Sequence, residues 1–248
     1  MTLEQFFAEN REVAVAFSGG VDSAYLLYAA TRYAARVKAY YVSTAFQPEF
    51  ELEDARRLAA DVGADMQVLH VDVLMSGAVV ANPSDRCYHC KNTLFRQILR
   101  AAENDGFPVL LDGTNASDDA GDRPGMRALR ELSVRSPLRE CGLTKAEIRR
   151  LSREAGLFTW DKPAYACLAT RIRTGEEITL QKLKQTEKAE GFLFGLGLRD
   201  FRVRMVGNTA KLELRETDLP LLLENREKVV TELRKDYDSV LLNLEVRK

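Results

Sequence analysis

AFSGGVDS, residues 16–23, joins an apolar run to a helical pattern through two adjacent glycines. The run before it, EVAVAF (12–17), is short and apolar, which predicts a buried strand. The stretch after it, DSAYLLYAATRYAA (22–35), predicts a helix. Gly19 and Gly20 let backbone N–H groups approach an anion with no Cβ in the way. A helix beginning near Val21 aims its first amides and its dipole at that anion. Ser18 and Ser23 add hydroxyl donors, and Asp22 suits either a turn contact or a Mg²⁺ ion carried by a nucleotide. The stretch has neither the G-x-x-x-x-G-K-S/T spacing nor its lysine. A loop this short fits a pyrophosphate and points to cleavage between the α and β phosphates of ATP. A strand–turn–helix packed tightly through its glycines is the purely structural alternative.

Outward from this loop the pattern repeats. A short amphipathic helix is predicted at 3–11, strands at 37–44, 65–73 and 108–114, and helices at 50–63, 88–106 and 144–157. Thr144 and Glu147 have the spacing of a capping box. The polar stretch 115–125 predicts a loop. Alternating apolar strands and helices argue for an α/β fold, a parallel sheet with helices on both faces. Past residue 179 the order changes to helix (180–194), strands (200–206 and 209–215), helix (218–236) and strand (238–246). Gly207-Asn208 predicts a hairpin turn. The expected organisation is therefore an α/β domain at 1–159, a linker at 160–179 and a small α+β domain at 180–248, for substrate binding or oligomerisation.

The 248 residues carry a net charge of −1, with 46% hydrophobic residues. So balanced a chain lacks the basic field that gathers nucleic acid. No apolar run approaches the ~20 residues of a membrane span, and the start reads as no signal peptide. Four cysteines are too few for a disulfide scaffold, so a cytoplasmic protein with reduced thiols is expected. Self-association into a homo-oligomer is left open by the sequence.

Cys87 and Cys90, in CYHC, share one face at the start of a predicted helix and can share a metal. Cys167 lies far downstream, in KPAYACLATRIR, and suits a third thiolate. Three ligands leave one corner open, as in a [4Fe–4S] cluster with one free iron; separately buried thiols are the alternative. Cys141 reads as a small buried hydrophobe, and His89 points away from its neighbouring cysteines. Gly113, ending a strand at the carboxyl edge of the sheet, can let a nucleotide lie against backbone. Asp72 ends another strand at that edge. Lys91 and Lys162 offer charge to phosphate or thiolate. Arg202 and Arg204 alternate on one strand, so both point to one face and suit a phosphate fork, with Glu190 expected near them from the preceding helix. A solvated, salt-bridged face is the alternative there.

The six residues of Ser18–Ser23 resemble the loop of the PP-loop ATP pyrophosphatases, adenine nucleotide alpha hydrolase-like enzymes. The order AFSGGVDS, CYHCK, LLDGTNASDDAGDRPG, RSPL, DKPAYACLATRI and FRVRM is similar, over nearly the whole chain, to the LarE-type ATP-dependent sulfur transferases. That resemblance implies adenylation of a carboxylate of pyridinium-3,5-biscarboxylic acid mononucleotide and its conversion to a thiocarboxylate, in nickel-pincer nucleotide synthesis. It implies ATP, Mg²⁺ and, in the three-cysteine branch, a [4Fe–4S] cluster on Cys87, Cys90 and Cys167, fed by sulfide or another sulfur donor. It also implies that Thr170 and Arg171 contact substrate phosphate, and that Glu190, Arg202 and Arg204 form a phosphate- or metal-binding cluster. Sacrifice of Cys167 as the sulfur source is the alternative within the family. A tRNA thiolase and a zinc-stapled nucleotide sensor are the alternatives outside it.

Overall fold

The computed structural model describes residues 1–118 and 124–247. Residues 119–123, within the expected loop at 115–125, lie outside the described residues, as does Lys248. The chain forms two compact units, Met1–Val73 with Asp85–Tyr165, and Leu74–Ser84 with Ala166–Lys248. The stretch expected as a linker, 160–179, divides between them at 165/166.

In the first unit, strands β1 (Glu12–Ala16), β2 (Arg36–Ser43), β3 (Asp65–His70) and β4 (Val109–Leu111) form a parallel sheet in the order β3-β2-β1-β4. Its helices are α1 (Leu3–Glu9), α2 (Val21–Tyr33), α3 (Glu49–Asp61), and, beyond α4 (Gly77–Val80) of the second unit, α5 (Arg86–Asn104), α6 (Pro124–Glu131), α7 (Pro137–Glu140) and α8 (Lys145–Glu154). Strand side chains alternate between faces, and both faces are covered. Val13, Val15, Tyr41 and Leu111 pack with residues of α1, α2, α3, α7 and α8. Ala14, Tyr40 and Leu110 pack with Ile98 and Ala102 of α5. A fully buried Leu, Val or Phe stabilises by about 1.5–3 kcal/mol, so this two-sided burial is what selects a parallel sheet over an exposed one.

The second unit holds α9 (Leu180–Gly195), the strands β5 (Arg202–Val206), β6 (Thr209–Glu213) and β7 (Ser239–Leu242), and the helices α10 (Leu219–Glu224) and α11 (Arg226–Leu233). β5 and β6 form the hairpin, with Gly207 at φ +56, and β7 joins β6 in parallel. The helix expected at 218–236 is divided at Asn225. Its φ of −100 and ψ of 14 leave the helical range, and its side-chain amide donates to the Leu221 carbonyl at 3.0 Å. Residues 74–84 belong to this unit through Asn82, 1% exposed, whose Nδ2 donates to the Arg173 carbonyl at 2.8 Å and whose own carbonyl accepts from Gly175 N. No helix among the described residues is long and apolar enough to cross a membrane.

Candidate functional site

β1 and α2 position the glycine loop. Gly19 adopts φ +72, in the left-handed region, and a Cβ there would lie 3.3 Å from both Ala55 Cβ and Glu51 O on α3. Gly20 is the N-cap of α2 and supplies no side-chain cap, so no cap side chain takes up the first amides of the helix. Ser23 Oγ ties the loop together: it lies 3.0 Å from Ser18 Oγ, accepts from Ser18 N at 3.3 Å, and donates to Gly20 O at 3.1 Å. The two serines therefore hold one another and fix the curvature around the amides.

Gly113, just after β4, is brought against this loop. A Cβ on it would sit 2.9 Å from Ser23 N and 3.1 Å from Ser23 Cα. The close backbone approach it permits is to the start of α2. Asp112 beside it is buried and accepts from Ser136 Oγ and Thr114 Oγ1, each at 2.5 Å. Gly113→Ala is expected to cost about 1–3 kcal/mol by overpacking, read as a lower urea midpoint. An unchanged midpoint would show that Ser23 moves freely.

Two lysines from the far end of the unit reach the loop. Lys145 Nζ lies 2.5 Å from Asp22 Oδ2, and Lys162 Nζ lies 2.6 Å from Asp54 Oδ2 and 3.5 Å from Gly19 O. Arg149 holds the Lys162 segment by donating to the Trp160 and Lys162 carbonyls at 2.6 and 2.9 Å. Sequence reasoning found Lys162 and missed Lys145, whose one local signal was its place directly after the Thr144 cap. Lys91 is placed elsewhere: its stem packs where a Gly125 Cβ would point. Asp72 is exposed beyond the end of β3.

Cys87 and Cys90 stand about one turn apart at the start of α5. Cys87 is exposed, 3.8 Å from the guanidinium of its neighbour Arg86, and Cys90 is half-buried. His89 turns to Asp85, with Nε2 3.4 Å from Oδ2. Cys141 packs against the core, and burial pushes its thiol up. Among the described residues, no group of three or more His, Cys, Asp or Glu side chains is gathered as a metal site.

In the second unit, Cys167 caps a short 3-10 turn, Leu168–Arg171. Its carbonyl accepts from both Thr170 N and Thr170 Oγ1, at 2.9 and 2.8 Å. Arg171, 1% exposed, forms a two-pronged ion pair with Glu190 at 2.8 and 3.0 Å and donates to Ala166 O and Thr170 Oγ1, each at 2.9 Å. Glu190 also accepts from Val203 N at 2.9 Å, which ties α9 to β5. Arg204 donates to Thr170 O at 2.8 Å and pairs with Glu213. Thr170, Arg171, Glu190 and Arg204 thus form one network behind Cys167. Arg202 shares the face of Arg204 on β5. Burial, and the nearby positive charges of Arg247, Arg171 and Arg204, pull its guanidinium down from the usual arginine range.

Residues 4–117 match the asparagine synthase family model. The chain is 39% identical over 215 residues to an uncharacterized protein of Synechocystis sp., covering 86% of this chain and 80% of that one. It is 30% identical to an uncharacterized protein of Methanocaldococcus jannaschii, over 96% of this chain and 91% of its relative. It is 31% identical over 235 residues to the pyridinium-3,5-bisthiocarboxylic acid mononucleotide synthase of Lactiplantibacillus plantarum, covering 94% of this chain and 85% of that enzyme.

Proposed function

The chain belongs to the family of the pyridinium-3,5-bisthiocarboxylic acid mononucleotide synthase, the LarE-type enzymes, and on that premise we propose that it is an ATP-dependent sulfur transferase acting on a carboxylate of a pyridinium mononucleotide. The observation that carries the reading is the Ser18–Ser23 loop, a glycine-built strand-to-helix turn with no side-chain cap on its helix. The substrate carboxylate attacks the α-phosphorus of ATP, and pyrophosphate leaves into the amides of that loop. The resulting acyl-adenylate is open to a sulfur nucleophile, and AMP departs as the thiocarboxylate forms.

Each residue then has a task. Asp22 fits a nucleotide-borne Mg²⁺: its Oδ1 is buried with no hydrogen-bond partner among the described residues, a costly arrangement unless a cation answers it. Gly113 keeps the loop seated on β4. Arg202 and Arg204 bind the substrate phosphate, while Arg171 and Glu190 brace the turn that carries Cys167 and Thr170. Three thiols without histidine suit a [4Fe–4S] cluster in donor chemistry, with Cys87, Cys90 and Cys167 as its holders. When bound, the cluster supplies sulfide as the nucleophile.

The test is incubation of oxygen-free protein with MgATP, pyridinium-3,5-biscarboxylic acid mononucleotide and isotopically labelled sulfide. AMP, pyrophosphate and a labelled thiocarboxylate are expected in equal amounts, by chromatography and mass spectrometry. Pyrophosphate release without the mononucleotide, or a thiolated RNA in its place, would overturn the substrate assignment.

A further inference from the structure

The Ser18–Ser23 loop contains no basic residue, although the pyrophosphate it would receive carries several negative charges. A cation arrives from a distant part of the same unit. Lys145 is the first residue of α8, and its Nζ lies 2.5 Å from Asp22 Oδ2, a contact spanning 123 residues of sequence. The root of this side chain is anchored. Its backbone N donates to Ser117 Oγ at 2.9 Å, and Thr144 before it closes a full capping box with Glu147. Ser117 belongs to the turn after β4, where its own N–H donates to Asn115 Oδ1 at 2.8 Å. The position of Lys145 is therefore tied to the segment after β4, whose Gly113 packs on Ser23.

The pair is also asymmetric. Lys145 takes Oδ2 of Asp22, and Oδ1 is buried without a hydrogen-bond partner among the described residues. An ordinary surface ion pair leaves its second oxygen to water. Lys162, the other lysine near the loop, is committed to Asp54 on α3 and approaches a carbonyl, Gly19 O. Lys145 is the one whose partner sits in the first turn of α2, beside the free amides.

We propose that Lys145 is a positioning residue for the pyrophosphate half of ATP: it fixes Asp22 through Oδ2, leaves Oδ1 to the nucleotide's divalent cation, and adds the positive charge that the loop lacks. This rests on the adenylating reading above and gives that site a residue drawn from α8.

The experiment measures binding of Mg²⁺-pyrophosphate and, separately, of AMP to the full chain by calorimetry, for wild type, Lys145→Met and Lys145→Arg. AMP is the control because it lacks the β and γ phosphates. Lys145→Met is expected to weaken Mg²⁺-pyrophosphate binding about tenfold or more, as for a lost charge-assisted contact. AMP binding should stay within about twofold, and Lys145→Arg should recover most of the loss. In the pyrophosphate-release assay the Met variant should lose kcat as well as raise KM for MgATP. Equal Mg²⁺-pyrophosphate binding by wild type and Lys145→Met overturns the proposal, as does parallel loss of AMP and pyrophosphate, which marks a collapsed loop. Wild type that binds neither ligand removes the adenylating reading and this proposal together.

Discussion

Arg171→Ala is expected to destabilise the second unit by about 3–5 kcal/mol, the range for breaking a buried ion pair from one side. Arg171 heads the fully buried side chains by volume, at 1% exposure, and Glu190 is equally enclosed. Removing the guanidinium strands a carboxylate away from water and deprives Ala166 O and Thr170 Oγ1 of donors. A unit of this size has only about 5–15 kcal/mol of net stability, so the loss approaches unfolding. Chemical denaturation of the full chain, followed by far-ultraviolet circular dichroism, reads it as an early transition that wild type lacks. The double variant Arg171→Met, Glu190→Leu separates charge from packing. It should regain part of the loss, because two apolar groups of similar volume need no partner. Recovery stays partial, since Val203 N also loses its acceptor. A loss below about 1 kcal/mol in Arg171→Ala, the scale of an exposed pair, would mean that water reaches the pair.

That ion pair marks where the sequence stopped being legible. The glycine loop was readable because its signal is local: an apolar strand, two glycines and a helix within a dozen residues. The parallel sheet followed, since strands buried on both faces lose polar alternation. The capping box of α8 is equally local, Thr144 to Glu147. The first residues of the helix at Pro124–Glu131 fall in the predicted loop because glycine, proline and aspartate crowd 115–125. Proline at the first helical position was the available cue. Contacts made through the fold left no such trace. Glu190, expected near Arg202 and Arg204, accepts from Val203 N between them, and it also pairs with Arg171, 19 residues earlier, a contact the sequence pattern does not announce. Lys145 reaches Asp22 across 123 residues, and Asn82 recruits 74–84 to the second unit through carbonyls 90 and 91 residues away. No periodicity encodes such distances.

The largest functional effect should come from the thiols, and it should split the reaction in two. In Cys87→Ala, Cys90→Ala and Cys167→Ala, thiocarboxylate formation is expected to fall to background while pyrophosphate release on mixing with MgATP and the mononucleotide continues for about one turnover. The loop we propose for pyrophosphate is built from Ser18–Ser23 and Gly113 and is held by serine hydroxyls and close backbone packing. In the proposed mechanism adenylation needs no thiol, whereas displacement of AMP by sulfur does. If the three thiols act as one cluster site, wild type purified without oxygen carries about four irons per chain, and each single variant loses them together. Iron and acid-labile sulfide assays beside the visible spectrum read this directly. If sulfur comes instead from Cys167, only Cys167→Ala stops the transfer. Wild type then loses the mass of one hydrogen sulfide after a single turnover, and added sulfide restores nothing. Thiocarboxylate formation that survives in all three variants would sink both versions. Loss of pyrophosphate release in Cys167→Ala would place that cysteine in the adenylating step, against the division of labour that the loop geometry implies.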